Sequence, residues 1–188
     1  MDINISVKDT QLRTERLLLR PFETTDLDDL YAYASVEGVG EMAGWPHHTD
    51  IELTKKILQE FVDKKEVFAI VCLETQRVIG SLGIHRSWAN EDPDLEELNV
   101  KEIGYVLAKS YWGQGLMAEA VNAVLRYGFE HWKLDAFTVG HFKHNAQSRR
   151  VIEKCGFTFY KEAIYQAKQL NQIFEDRKYI CFRLDEDK

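Results

Sequence analysis

With 188 residues and 45% hydrophobic content, the chain is long enough for one compact domain with a full core. Its net charge of −7 argues against sequence-independent nucleic-acid binding, which rests on basic patches meeting phosphates, and suits a cationic partner such as an amine. Three cysteines, Cys72, Cys155 and Cys181, are odd in number and widely spaced, so neither a disulfide framework nor a cysteine metal site is indicated. The N-terminus lacks the basic start and apolar core of a signal peptide. The longest apolar run, Val67 to Leu73, is too short to span a bilayer. The expectation is a soluble cytoplasmic protein that binds no nucleic acid of its own and no membrane.

Arg16 to Pro21 reads as a first strand, closed by Pro21. Thr25 to Asp28 offers a capping-box start for a helix with Leu27, Leu30, Tyr31 and Ala34 at helical spacing. Thr49 to Glu52 repeats that signal ahead of Leu53, Ile57, Phe61 and Val62. Glu66 to Leu73 and Arg77 to His85 read as a β-hairpin, and the polar run from Ser87 to Asn99 reads as a loop. A strand from Glu102 to Leu107 leads into a glycine turn. A helix to about His131 follows, with Met117, Val121, Leu125 and Phe129 on one face. A short strand, Ala136 to Gly140, precedes a helix from about Ala146 to Cys155 that Gly156 ends as a left-handed cap. Strands near Phe157 to Tyr165 and Ile173 to Leu184 complete the order β-α-α-β-β-β-α-β-α-β-β. No linker or repeat divides the chain, so residues 1–188 read as one domain with its core at about 11–184.

Tyr111-Trp-Gly-Gln-Gly-Leu-Met-Ala-Glu-Ala120 carries the chemistry. Gly113 and Gly115 remove side chains from a turn that opens a helix, so main-chain N–H groups can converge on a phosphate. Gly113-x-Gly115-x-x-Ala118 satisfies a dinucleotide fingerprint, with Asp135 twenty residues past Gly115. That reading fails on position, because the acidic residue belongs at the end of a second strand and Asp135 precedes its strand. A kinase-type P-loop is excluded, since no Gly-Lys-Ser/Thr follows.

The second motif, Asn145-Ala-Gln-Ser148-Arg-Arg-Val-Ile-Glu-Lys-Cys-Gly156-Phe157, lies about thirty residues on. Together the two resemble the GNAT N-acetyltransferases. Thr14-Glu-Arg-Leu-Leu-Leu-Arg-Pro-Phe22, Glu102-Ile-Gly-Tyr105 and the glycine turn resemble the RimJ/RimL branch, the ribosomal-protein N-terminal acetyltransferases. The resemblance runs from about Gln11 to Leu184. It implies the GNAT fold, an α/β (α+β) domain on a central mixed, mostly antiparallel twisted sheet flanked by helices. It also implies acetyl-CoA as cosubstrate and an amine as acceptor, with Val106, Leu107, Trp112, Gly113, Gln114, Gly115, Leu116, Met117, Ala118, Asn145 and Ser148 against the cofactor. The chain departs from the family at Trp112 (Arg or Gln), Met117 (Gly or Ala) and Ile152, where many members carry the Tyr that protonates the departing thiolate.

The implied reaction is direct attack of a neutral amine on the thioester in a ternary complex. At neutral pH about one α-amine in ten is neutral, against fewer than about one lysine in a thousand, so an N-terminal acceptor needs modest base assistance. Glu102 is the candidate base and Ser148 the branch's donor to sulfur; solvated charge and first-turn residue are their plainer alternatives. The resemblance puts Asn145 at the pantetheine arm or a water near it, a role compatible with an N-cap. Lys143, Arg149 and Arg150 are candidates for the 3′-phosphate. Trp45-Pro46-His47-His48 sits where the family's acceptor groove lies. His47-His48 and His141-x-x-His144 both fall in expected loops without ligand-spaced carboxylates, so no metal is expected. The acceptor, a protein N-terminus or a small amine such as an amino acid, polyamine or antibiotic, stays open. So do a homodimer and a non-catalytic acyl-CoA-binding module.

Overall fold

The computed structural model describes residues 2–184. Its strands and α-helices are, in chain order, β1 (Leu12–Arg13), β2 (Leu17–Pro21), α1 (Leu27–Ala34), α2 (Ile51–Lys64), β3 (Val67–Cys72), β4 (Val78–Arg86), β5 (Val100–Leu107), α3 (Leu116–Glu130), β6 (Ala136–Phe142), α4 (Ala146–Lys154), β7 (Thr158–Ala167) and β8 (Gln172–Phe182). The strands form one sheet in the order β1-β2-β3-β4-β5-β6-β8-β7. Its neighbours pair antiparallel except β5 and β6, which run parallel. The mixed, mostly antiparallel sheet therefore stands as expected. Residues 1 and 185–188 of the expected domain lie outside the described residues.

Strand β3 shows how the sheet is covered. Val67, Ala69 and Val71 pack with Leu30 and Tyr33 of α1 and Leu58 of α2. Phe68, Ile70 and Cys72 point the other way, into a core with Val121, Val124 and Leu125 of α3 and Ile152 of α4. Successive strand side chains alternate faces, so a strand covered on both sides reads as an unbroken apolar run.

Several expectations are corrected. A two-residue strand, β1, precedes the first expected one. The capping box ahead of α1 is made by Glu23 and Asp26 rather than by Thr25 and Asp28: Asp26 accepts from the Glu23 N–H at 2.8 Å and also holds the Arg20 guanidinium at 2.8 Å through each oxygen. At α2 the N-cap is Asp50, whose Oδ1 accepts from Leu53 N–H at 2.8 Å, not Thr49. That phase buries Thr54 and Leu58 and leaves Leu53 37% exposed. Replacing Asp50 with alanine is expected to destabilise the protein by about 1 kcal/mol, measurable as a lowered denaturation midpoint. Strand β6 runs past Gly140, so His141 is a strand residue and not a loop residue. It is buried and satisfied, with Nδ1 at 2.8 Å from the Phe142 carbonyl and Nε2 at 3.2 Å from the Tyr179 hydroxyl.

The feature that makes a site is a split in this sheet. Strands β5 and β6 pair only as Val100 with Ala136, Lys101 with Phe137 and Glu102 with Thr138. Beyond Glu102, β5 stays paired with β4 as far as Leu107, while β6 stays paired with β8 as far as Phe142. The two inner edges part into a cleft whose main-chain groups face no strand partner.

Candidate active site

At the open end of β5 the chain turns through Gly113 and Gly115, with φ of 77° and 78°. This is the left-handed region that a residue with a Cβ enters only at a cost. Gly115 is the N-cap of α3 and brings no side-chain cap. Among the described residues nothing accepts from the N–H groups of residues 114–118, so they point outward at the positive end of a helix dipole. The bulky departures are folded away. Leu116, Met117 and Ala118 are buried, leaving only their main chain to meet a ligand. Trp112 lies against both cores and donates its indole N–H to the Leu107 carbonyl at 2.7 Å.

A clasp that periodicity did not flag holds this turn. Glu119, in the first turn of α3, accepts from Thr14 Oγ1 at 2.6 Å, from Arg16 N–H at 2.9 Å and from Arg16 Nε at 2.7 Å. The same guanidinium donates to the Gln114 carbonyl at 3.0 Å. Burial alone would raise the Glu119 pKa, yet the Thr14 and Arg16 bonds hold it below its ordinary value. The motif Thr14-x-Arg16 thus ties the β1–β2 hairpin to the glycine turn. Glu119→Ala should loosen the turn and weaken acetyl-CoA binding about three- to tenfold, read by calorimetry.

The cleft has two sides, and alternation along β5 assigns its residues to them. Val106, on the parity of Glu102, packs with the α1–α2 core. Tyr105 packs with the core under α3 and α4. The two candidate catalytic residues, Glu102 and Ser148, therefore lie on opposite faces. Glu102 sits at the last β5–β6 rung, with Lys178 Nζ at 3.5 Å. Lys178 in turn holds the buried Asp176 at 2.9 Å. A Cβ at Gly140 would lie 3.1 Å from Lys178 Nζ and 3.2 Å from Asp176 Oδ2, so the bare residue makes room for this trio. Burial raises the Glu102 pKa above its ordinary value, and Lys178 opposes that shift only in part. From Glu102 to Leu107 the strand rises about 16 Å, which separates the base candidate from the phosphate turn by the length of a long flexible arm.

On the other face, α4 begins at Asn145. Its Oδ1 caps the helix by accepting from Ser148 N–H at 3.1 Å, and its Nδ2 donates to the Met42 carbonyl at 3.3 Å. Ser148 Oγ lies 2.9 Å from the Tyr105 hydroxyl. The loop between α1 and α2 crosses the cleft mouth. Its Glu37 carbonyl accepts from Lys109, just past β5, and its Met42 carbonyl meets Asn145, just past β6. Within that loop Glu41 accepts from Gly38 N–H, His47 N–H and the His47 ring. Burial would raise the Glu41 carboxyl, but the His47 bonds bring it down to about 2. His48 is buried against Thr54. Among the described residues no group of three or more His, Cys, Asp or Glu is placed to hold a metal, and no helix is long and apolar enough to cross a membrane.

Of the candidate 3′-phosphate residues, Lys143 pairs with Glu175 at 3.1 Å and Arg149 with Glu153 at 2.7 Å. Asp135 is spent on Asn99 N–H at 2.9 Å and Arg183. Hollows of about 330 and 190 Å³ lie on the β6–β8–β7 flank, around Lys143 and Glu175. Neither hollow includes a residue of β5 or of the α3 N-terminus; the free edge of β5, the α3 N-terminus and the partly buried Glu102 all belong to the cleft.

Residues 16–158 match the family described as acetyltransferase (GNAT) domain. The chain is 30% identical over 152 residues to the uncharacterized N-acetyltransferase p20 of Bacillus licheniformis, covering 78% of this chain and 81% of that protein. It is 32% identical over 83 residues to the ribosomal-protein-serine acetyltransferase of Escherichia coli (strain K12), covering 44% and 46% of the two chains. Its fold matches the crystal structure of the microcin C7 self immunity acetyltransferase MccE in complex with acetyl-CoA and AMP, with TM-score 0.72 at 16% identity over 90% of this chain and 94% of that one. With the family match spanning most of its length and a phosphate-ready turn beside a split sheet, the chain belongs to the GNAT family of acetyltransferases.

Proposed function

We propose that this N-acetyltransferase transfers acetyl from acetyl-CoA to the α-amine of a protein or peptide N-terminus. The observation that carries the reading is the free N–H array of residues 114–118 at the head of α3, at the open end of the β5–β6 cleft. In this reading the diphosphate rests on that array, and the pantetheine arm runs along the unpaired edge of β5 past Val106 and Leu107, with Asn145 beside it. The thioester then lies near the rung at Glu102. The acceptor approaches from the α1–α2 face, and Glu102 takes a proton from the attacking amine directly or through water. Ser148, on the opposite face, donates to the departing sulfur.

The α-amine is favoured over a lysine because a larger share of it is neutral at physiological pH, so it asks less of a carboxylate base. Similarity to the Escherichia coli ribosomal-protein-serine acetyltransferase supports a ribosomal-protein acceptor. The test is thiol release from acetyl-CoA against a panel of N-terminal peptides and small amines, with intact-mass measurement of ribosomal proteins from cells with and without this protein. Turnover on peptides and a one-acetyl mass difference on a ribosomal protein are the expected results. Turnover confined to small amines overturns the acceptor and keeps the reaction. Acetyl-CoA binding without turnover on any amine overturns catalysis and leaves a binding module.

A further inference from the structure

We propose that Tyr105 is a positioning residue for thiolate departure, acting through Ser148 in place of the tyrosine absent at position 152. The inference rests on the reading of Ser148 as donor to sulfur. Position 152 holds isoleucine, 1% exposed in the core beneath α4, so it offers nothing to a sulfur. Tyr105 starts from the other arm of the cleft. It stands on β5 three residues beyond the last β5–β6 rung, on the face covered by α3 and α4. From there its hydroxyl crosses to the first turn of α4, 2.9 Å from Ser148 Oγ and 3.3 Å from the Ser148 carbonyl oxygen. The contact bridges the two arms where their strands have separated, on the face opposite Glu102. An acyl group at the apex would have the acceptor and its base on one side and this hydroxyl pair on the other.

Each hydroxyl has one proton, so two patterns fit the distances. In one, Ser148 donates to Tyr105 and Tyr105 donates to the Ser148 carbonyl. In the other, Tyr105 donates to Ser148 Oγ, which frees the Ser148 proton for a third acceptor. A sulfur gaining negative charge selects the second pattern, because a charged acceptor makes the stronger hydrogen bond. Burial keeps the Tyr105 pKa above its ordinary value, although the Ser148 bond opposes this, so the phenol stays protonated and available as a donor across the working range. The amine nitrogen bonds to the carbonyl carbon, the carbon–sulfur bond breaks, and Glu102 takes the amine proton and releases it to solvent. The thiolate leaves hydrogen-bonded to Ser148 and takes its proton from solvent.

Steady-state kinetics of Tyr105→Phe, Ser148→Ala and the double variant test this, with acetyl-CoA affinity measured by calorimetry. Tyr105→Phe should lower kcat about tenfold and leave the acetyl-CoA KM and affinity within about twofold. Added to Ser148→Ala, it should cost less than about twofold more, because the relay is already cut. A Tyr105→Phe kcat within about twofold of the parent overturns the proposal, as do effects that multiply in the double variant. Loss of acetyl-CoA affinity in Tyr105→Phe also overturns it, since Tyr105 would then be shaping the cleft. If Ser148→Ala itself is harmless, the Ser148 reading fails first and takes this one with it; if Ser148→Ala is costly and Tyr105→Phe is not, only this inference falls.

Discussion

Glu102→Gln is expected to reduce kcat by about 10²- to 10³-fold, the lower part of the range of about 10²- to 10⁴-fold for a positioned general base, with acetyl-CoA affinity unchanged. The amide keeps the size of the side chain but accepts no proton. Lys178 keeps Asp176 at 2.9 Å, so no buried cation is left unpaired. The pH profile separates a base from a merely structural carboxylate. Burial places the Glu102 pKa above its ordinary value, so the parent enzyme should lose kcat/KM as pH falls through that raised value, over and above the loss due to acceptor protonation. The variant should lack that limb. Stability carries the matching sign. The folded carboxyl binds its proton more tightly than the unfolded one, so the parent loses stability as pH rises from the ordinary glutamate pKa through the raised one. Glu102→Gln removes that slope, and thermal melts across the window will read it. A variant with near-parental kcat and an unaltered acid limb would remove Glu102 from the reaction.

What was legible before the structure is local in origin. Gly113 and Gly115 announced a turn because only glycine enters the left-handed region freely, and both adopt it. The helices declared themselves by apolar spacing, and Gly156 ends α4 with φ of 79°. What stayed hidden depends on register. Glu119 meets Thr14 and Arg16 across more than a hundred residues, although all three belong to motifs that could be read. Lys178 reaches Glu102 only because β8 pairs with β6 so that Lys178 stands opposite Gly140, and no spacing rule reports that alignment. Tyr105 was visible within Glu102-Ile-Gly-Tyr105, but its partner on α4 follows from the parting of β5 and β6. Capping went astray because Thr25, Asp26, Thr49 and Asp50 are chemically similar caps. The choice follows tertiary contacts: the Arg20 guanidinium holds Asp26 in its box with Glu23, and the burial of Leu58 sets the phase of α2.

Gly115→Val is expected to weaken acetyl-CoA binding by about 30- to 100-fold while shifting the melting temperature little. At φ of 78° a β-branched residue carries about 2–3 kcal/mol of backbone strain, and each 1.4 kcal/mol corresponds to about tenfold in affinity. The neighbourhood does not clash, since the nearest atom to an added Cβ is Arg16 Nη2 at 3.8 Å. The penalty is therefore conformational. An exposed turn relieves such strain by changing shape, so the unliganded protein loses little stability and the strain reappears when the ligand demands the original turn. Calorimetry with acetyl-CoA and melts without it separate the two quantities. Parental affinity together with an unchanged melting temperature would move the diphosphate away from residues 114–118. A drop of many degrees in melting temperature with affinity intact would mean that the clasp of Thr14, Arg16 and Glu119 holds the turn rigid, so that the fold bears the strain in the empty and the loaded enzyme alike.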